Sequence, residues 1–270
     1  MTSQPDSKFN LVDSYDTTIK DIAGLKDYGG IFEVIRLFFD EGESGVDRLV
    51  QIENRFDIRT EKGRAKVGWA LKGGFLQFRN ADHQNLVQRL FSDLVPVPDQ
   101  NLFLLWQFSL NNRLVRELIA DVFVGIYFSG RASISQNDLI GFIKEVISNK
   151  TGEADKDWAE ETIYRIATKF LSLMTKLGFV STGRVKKFEY VRPSTEAQVI
   201  FLYFAKLFAP EHSDILTNPF LSLSFIAKED IQERMKKLSM KDYFGMNFNG
   251  VALKIELTHS YEEICHVLYN

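Results

Sequence analysis

Apolar residues recur along this chain at helical spacing, separated by short polar breaks. In "GIFEVIRLFFDEG", Ile31, Val34, Ile35, Phe38 and Phe39 share one face, and Gly42 is placed to stop the helix. "SGVDRLVQIENRF" predicts a second short helix with Ser44 as a cap. Thr60 to Phe78 is ambiguous: the pattern allows a helix, but Gly63, Gly68, Gly73 and Gly74 weaken it. "HQNLVQRLFSDLV" brings Leu86, Val87, Leu90, Phe91 and Leu94 into helical register. "PVPDQN", Pro96 to Asn101, is the best internal boundary, because a proline cannot continue the helix before it. "NLFLLWQFSL" and "RLVRELIADVFVGIYF" follow, apolar around much of their circumference, and belong at the centre of the protein.

The clearest patterning comes next. "SISQNDLIGFIKEVIS" opens with Ser135 and carries Asp138 three residues later, a capping-box pair. After the polar "NKTGEADK", "DWAEETIYRIATKFLSLMTKL" repeats the device with Asp157 and Glu160. Its apolar residues Ile163, Ile166, Ala167, Phe170, Leu171, Met174 and Leu177 define one helical face. Arg165, Lys169, Ser172 and Lys176 form a stripe on the other, and Gly178 is a stop. Phe179-Val180 and "VKKFEYV" read as two short strands about Ser181-Thr182-Gly183. Phe179 and Val180 should point inward, with alternate residues of Val185 to Val191, while the lysines and arginines face out. Beyond Pro193 the pattern gives a helix from Thr195 to Ala209, an unclear "DILTNPFLSLSF" and a short charged helix, "KEDIQERMKKL". A hairpin in "DYFGMNFNGVALKIELTH" turns at Asn249-Gly250 as type I′, and a helix from Ser260 to Leu268 closes the chain.

The expected fold is mainly α, multi-helical, with a winged helix-turn-helix-like segment and a small C-terminal β-hairpin. Its regions would be 1–95 (helical), 96–194 (helical and winged-helix-like) and 195–270 (helical with the hairpin). All three could also form one compact unit.

Charge changes this picture locally. The net charge is −3, which by itself does not suggest a nucleic-acid binder. The distribution is uneven, however. Residues 1–54 hold eleven Asp and Glu against five Lys and Arg. Residues 55–79 carry Arg55, Arg59, Lys62, Arg64, Lys66, Lys72 and Arg79 against Asp57 and Glu61. Residues 165–192 carry Arg165, Lys169, Lys176, Arg184, Lys186, Lys187 and Arg192 against Glu189 alone. A helix, a loop, a helix with a cationic face and a basic hairpin form the outline of a DNA-binding unit. The first turn of its second helix holds Asp157, Glu160 and Glu161, so this unit should grip phosphates rather than read bases. The candidate DNA contacts are Arg165, Lys169, Lys176, Arg184, Lys186, Lys187 and Arg192, with Arg59, Lys62, Arg64 and Lys66 from the first segment. A solvated helical face is the alternative for both stretches.

Signals for catalysis are poor. The histidines are His83, His212, His259 and His266, and only Glu263 with His266 has a ligand-like spacing. There is no phosphate-loop glycine pattern, no nucleophile elbow and no cysteine pair for zinc, so no enzyme, cofactor or metal is expected. The single cysteine, Cys265, reads as a structural thiol and fits a reducing cytoplasm. The N-terminus has no signal-peptide pattern, and every apolar run is broken before it could span a bilayer, so no membrane role is expected.

Several of these stretches resemble the BrxA family of bacteriophage-exclusion (BREX) defence systems, over about residues 15–210. The residues that carry the resemblance are Leu105-Trp106, Leu114-Val115-Arg116-Glu117, Thr162 with Arg165-Ile166, and Leu173 with Gly178-Phe179-Val180. Glu53, Asn54, Arg59 and Thr60 match an earlier step of the pattern. The resemblance implies a small, mostly helical, non-enzymatic protein that binds double-stranded DNA and works with other BREX proteins. The alternatives are a protein–protein adaptor anchored by Phe188 and Tyr190, or an RNA-binding protein similar to the antitermination factor NusB. The segment from about Asn218 onward exceeds the family's core, and nothing is carried over to it.

Overall fold

The computed structural model describes residues 14–148 and 158–269. A short α1 (Ile19–Ile22) precedes α2 (Gly29–Asp47), which buries Ile31, Val34 and Ile35. Phe38 and Phe39 are half-buried, and both rings pack on Phe78. Gly42 takes φ 71°, a conformation that favours glycine, but it kinks the helix instead of ending it. The chain resumes at once because Gly45, Val46, Leu49 and Val50 still have a core to enter, and it continues through a π-helical turn, Arg48–Ile52. Ser44 therefore lies inside a helix and caps nothing.

The ambiguous stretch is helical. α3 (Glu61–Phe75) starts at Thr60, whose hydroxyl accepts from Gly63 N at 3.1 Å. Gly74 allows close packing: a Cβ there would lie 3.2 Å from the Phe108 ring, whereas one at Gly68 would make ordinary contact with Val50 at 3.6 Å. In α4 (Ala81–Leu90), Leu86, Val87 and Leu90 are buried, as is Phe91 just after it. Leu94 is exposed, because the helix ends at Leu90 and its register ends there too.

α5 (Val97–Asn111) starts at the proline boundary and is buried along nearly its whole length. The Trp106 indole N–H donates to the Leu223 carbonyl at 2.8 Å. Asn112 caps α6 (Arg113–Glu117) by accepting from Val115 N at 2.9 Å. That helix passes through a π-helical turn, Leu118–Phe123, into α7 (Val124–Phe128).

β1 (Ser133–Ile134) then leads into α8 (Gln136–Ser148). The capping box is made: Ser135 N donates to Asp138 at 2.8 Å, and Asp138 N donates to the Ser135 hydroxyl at 3.3 Å. The Arg131 guanidinium grips the same carboxylate through two bonds of 3.0 and 2.9 Å, and with the Ser135 bonds it holds the Asp138 pKa down at about 2. α9 (Glu160–Lys176) buries all seven predicted core residues, and Gly178, at φ 81°, ends it. Ala159 occupies its N-cap position; Asp157, the expected cap, lies outside the described residues. After α9, Val180 bridges Phe188, and β2 (Lys186–Lys187) pairs antiparallel with β1, Ile134 opposite Lys186. The hairpin thus acquires a third strand from before α8.

α10 (Thr195–Phe208) is capped by the Ser194 hydroxyl. Two 3₁₀ turns (Ile215–Thr217 and Leu221–Ser224) replace the unclear stretch, and α11 (Ile231–Ser239) follows. β3 (Phe244–Phe248) pairs with β4 (Leu253–Leu257) in register Phe248↔Leu253. The connection is therefore four residues, not a two-residue type I′ turn. The Asn249 side chain closes it by accepting from Val251 N and Ala252 N, and Gly250 alone within it has a left-handed φ. In α12 (Ile264–Tyr269), the Tyr269 hydroxyl donates to Asp99 at 3.0 Å, and the Ser194 hydroxyl donates to the same oxygen at 2.7 Å. The last helix is thereby tied to the starts of α5 and α10. Buried side chains from Ile19 to Cys265 join one continuous cluster.

Candidate nucleic-acid interface

Three of the seven cations of the first basic segment are paired with carboxylates from the acidic segment before it. Arg55 pairs with Asp27 at 2.8 Å and Glu33 at 2.5 Å. Lys66 pairs with Asp21 at 3.0 Å, and Lys72 pairs with Glu43 and Asp47 at 3.1 and 2.9 Å. Arg64 donates to the Ile58 carbonyl at 3.3 Å. Arg79 is directed inward onto the Leu207 carbonyl, and burial pushes its pKa down to about 10. Arg59 and Lys62 are exposed and make no ion pair among the described residues.

The stripe on α9 is not an open face, because α1 packs along it. The Lys176 ammonium donates to the Ala23 carbonyl at 2.8 Å and to the Leu25 carbonyl, and lies 5.3 Å over the Tyr28 ring. The Ser172 hydroxyl donates to Ala23 as well, and Lys169 is half-buried against Gly24. Burial and then Lys169 lower the Lys176 pKa. The charge of Lys176, a candidate phosphate contact by sequence, here fastens α1 to α9. Arg165 remains exposed and pairs with Glu161 at 2.5 Å, while Glu160 pairs with Lys144 at 2.7 Å.

The hairpin is different. Arg184, Lys187 and Arg192 are exposed and make no ion pair among the described residues. Lys186 is half-buried and reaches the Ser181 carbonyl at 3.3 Å. The expected alternation is corrected at two places. Val185 faces solvent at 59% exposure, and Phe188 is the residue that turns inward, 5.1 Å from Phe123 and 5.4 Å from Tyr127. Phe188 thus serves the core and is no free anchor, whereas Tyr190 is 80% exposed.

Between this hairpin, β1 and the outer side of α9 lies a cleft of about 600 Å³, lined among others by Ser133, Gln136, Thr168, Ser172, Thr175 and Arg184. The Gln136 amide donates to the Thr168 hydroxyl at 2.6 Å and to the Tyr164 carbonyl at 3.0 Å. This row of neutral hydroxyls and an amide was missed by reading charge alone. Its signal was present: Thr168 and Thr175 stand seven residues apart, two turns along one side of α9. The hydroxyl protons of Thr168, Ser172 and Thr175 are given to the Tyr164, Ala23 and Leu171 carbonyls, so this row shapes the cleft and offers phosphate no hydroxyl donor as it stands.

Among the described residues, no three His, Cys, Asp or Glu side chains gather as a metal site would require, and no helix is long and apolar enough to cross a membrane. Cys265 is buried, and burial pushes its thiol up to about 12. His83 is buried too, with Nε2 2.7 Å from the Gln107 oxygen.

Apart from Arg59 and Arg165, the residues that carry the family resemblance frame this interface rather than form it. Trp106 holds α5 to the turn at Leu223, Arg116 donates to the Ser109 carbonyl at 2.9 Å, and Asn54 takes a left-handed φ while accepting from Ile58 N. No curated protein matches the chain. The family model BrxA matches residues 42–201, from the kink of α2 into α10 and across the whole β1–α8–α9–β2 unit. The chain belongs to the BrxA family, a component of BREX phage-defence systems.

Proposed function

We propose that this protein is a non-catalytic component of its BREX system that holds double-stranded DNA by the phosphate backbone. The observation that carries the reading is the hairpin: Arg184, Lys187 and Arg192 stand exposed, without an ion pair among the described residues, on a segment anchored to the core by Phe179, Val180 and Phe188. The rigid base fixes where these cations stand, so only their side chains need ordering on phosphate. The order strand, helix, helix, hairpin, with the hairpin returning to pair with the first strand, supports reading the unit as a winged helix. The packing of α1 along α9 argues for a clamp over a base reader, since half of the second helix is occupied within the protein. Binding to DNA puts the protein in the cytoplasm.

A mobility-shift assay with random duplex at rising salt tests this. Three phosphate contacts give a slope of log K against log salt of about −3, and Lys187→Glu should make it shallower by about one and weaken all sequences alike. Salt-independent binding, or none at low salt, overturns the reading. Tyr190, exposed beside the same cations, favours a second reading in which the hairpin docks another BREX protein. Co-purification of that partner, lost in Tyr190→Ala with DNA affinity intact, would support it.

A further inference from the structure

The two basic segments, far apart in sequence, meet at α1. Lys20 lies within the fields of Lys66 on α3 and Arg165 on α9; burial first, and then these like charges, lower its pKa. Asp21 holds Lys66 and Glu161 holds Arg165, but neither Lys20 nor Lys62 makes an ion pair among the described residues. Lys62, Lys66 and Trp69 step by four and three along one side of α3. Trp69 is 67% exposed although Val67, Ala70 and Leu71 around it are buried, so the core was within reach of this helix and the indole was left out of it. Beside it Gly73 adds no side chain, and a Cβ there would meet nothing within 4 Å. Lys66 stands one turn before the indole on this helix, and Gly73 one turn after it.

Cations from α1 and α3 beside an open indole suit a nucleic-acid single strand, whose phosphates need charge and whose bases need flat partners. A duplex hides its base faces inside the stack and has no use for an indole. An acidic peptide would use the charges, but it would want an apolar recess beside the ring, and Gly73, Lys62 and Lys66 do not make one. We propose that the α3–α1 face binds single-stranded DNA, with Trp69 stacking on a base and Lys20 and Lys62 holding the phosphates. This site is separate from the hairpin and does not depend on duplex binding there.

Oligo(dT) of about fifteen nucleotides, which forms no duplex, is the probe. Titrated into the full chain at low salt, it should quench tryptophan emission, since Trp106 is fully buried and Trp158 half-buried, which leaves Trp69 as the accessible indole. Trp69→Ala should remove the quench and weaken binding by about tenfold or more, while Trp69→Phe should keep most of the affinity. Lys20→Glu with Lys62→Glu should weaken binding and flatten its salt dependence. Lys187→Glu should lose duplex affinity and keep oligo(dT), which separates the two surfaces. The proposal is overturned if oligo(dT) does not bind, if Trp69→Ala binds it as the unaltered protein does, or if polyglutamate quenches and competes equally well. Duplex binding would stand in any of those cases.

Discussion

Lys176 and Lys187 belong to the same basic run in sequence, yet they should fail in opposite ways. Replacing Lys176 with Met keeps the length of the stem and removes the ammonium. The carbonyls of Ala23 and Leu25 then lose a charged donor, and Tyr28 loses the cation over its ring at 5.3 Å. A hydrogen bond to a charged group contributes about 1.5–3 kcal/mol, and a cation over an aromatic face about 0.5–1 kcal/mol at a partly open site. The side chain is half-buried, so water screens the pair and re-satisfies some of the carbonyl capacity, which favours the lower ends of these ranges. The expected loss is about 2–3 kcal/mol. Urea unfolding followed by circular dichroism reads it as a lower midpoint. Lys187→Met touches no internal partner and should stay within about 0.5 kcal/mol of the unaltered protein. Duplex affinity should show the reverse order: weakened by Lys187→Met and unchanged by Lys176→Met under conditions where that variant is folded. Equal stability of the two variants, or a loss of affinity confined to Lys176→Met, would refute the assignment of Lys176 to the seam between α1 and α9.

Two further outcomes follow from burial and close packing. Gly74→Ala should be about 1–3 kcal/mol less stable than Gly73→Ala in the same helix, because its methyl would press on the Phe108 ring at 3.2 Å, whereas Gly73, with open space around it, should gain up to about 1 kcal/mol on becoming alanine; thermal melts of the pair decide it. The His83 pKa is lowered to about 4, chiefly by burial, against an ordinary 6.5. The unfolded chain therefore binds the extra proton between those values, so this contribution is whole above pH 6.5 and disappears as pH falls towards 4. It amounts to roughly 3 kcal/mol. His83→Gln cannot titrate, so the stability advantage of the unaltered protein over it should shrink on going from pH 7 to pH 4. A difference in urea midpoint that stays flat across that range would be evidence against a neutral, buried ring.

What the sequence made legible is what is decided within a few residues. The seven apolar positions of α9 lie on one helix, and the Ser135–Asp138 box closes over three residues, so both could be read directly. The turn at Asn249-Gly250 and the facing of Val185 could not, because each depends on strand register, and the hairpin's register is set partly by β1, some fifty residues upstream. Basic segments are harder still. Local charge density treats each lysine as available, but Arg55, Lys66 and Lys72 are answered by carboxylates from the acidic start of the chain, and Lys176 is answered by backbone carbonyls about 150 residues away. The acids of α1 and α2 pair in space with the bases of α3. A basic run therefore marks a phosphate surface only after the chain's own carboxylates and carbonyls have taken their share. On the hairpin, Arg184, Lys187 and Arg192 are left over by that subtraction. On α3 it leaves Lys62, beside an indole that the core did not take.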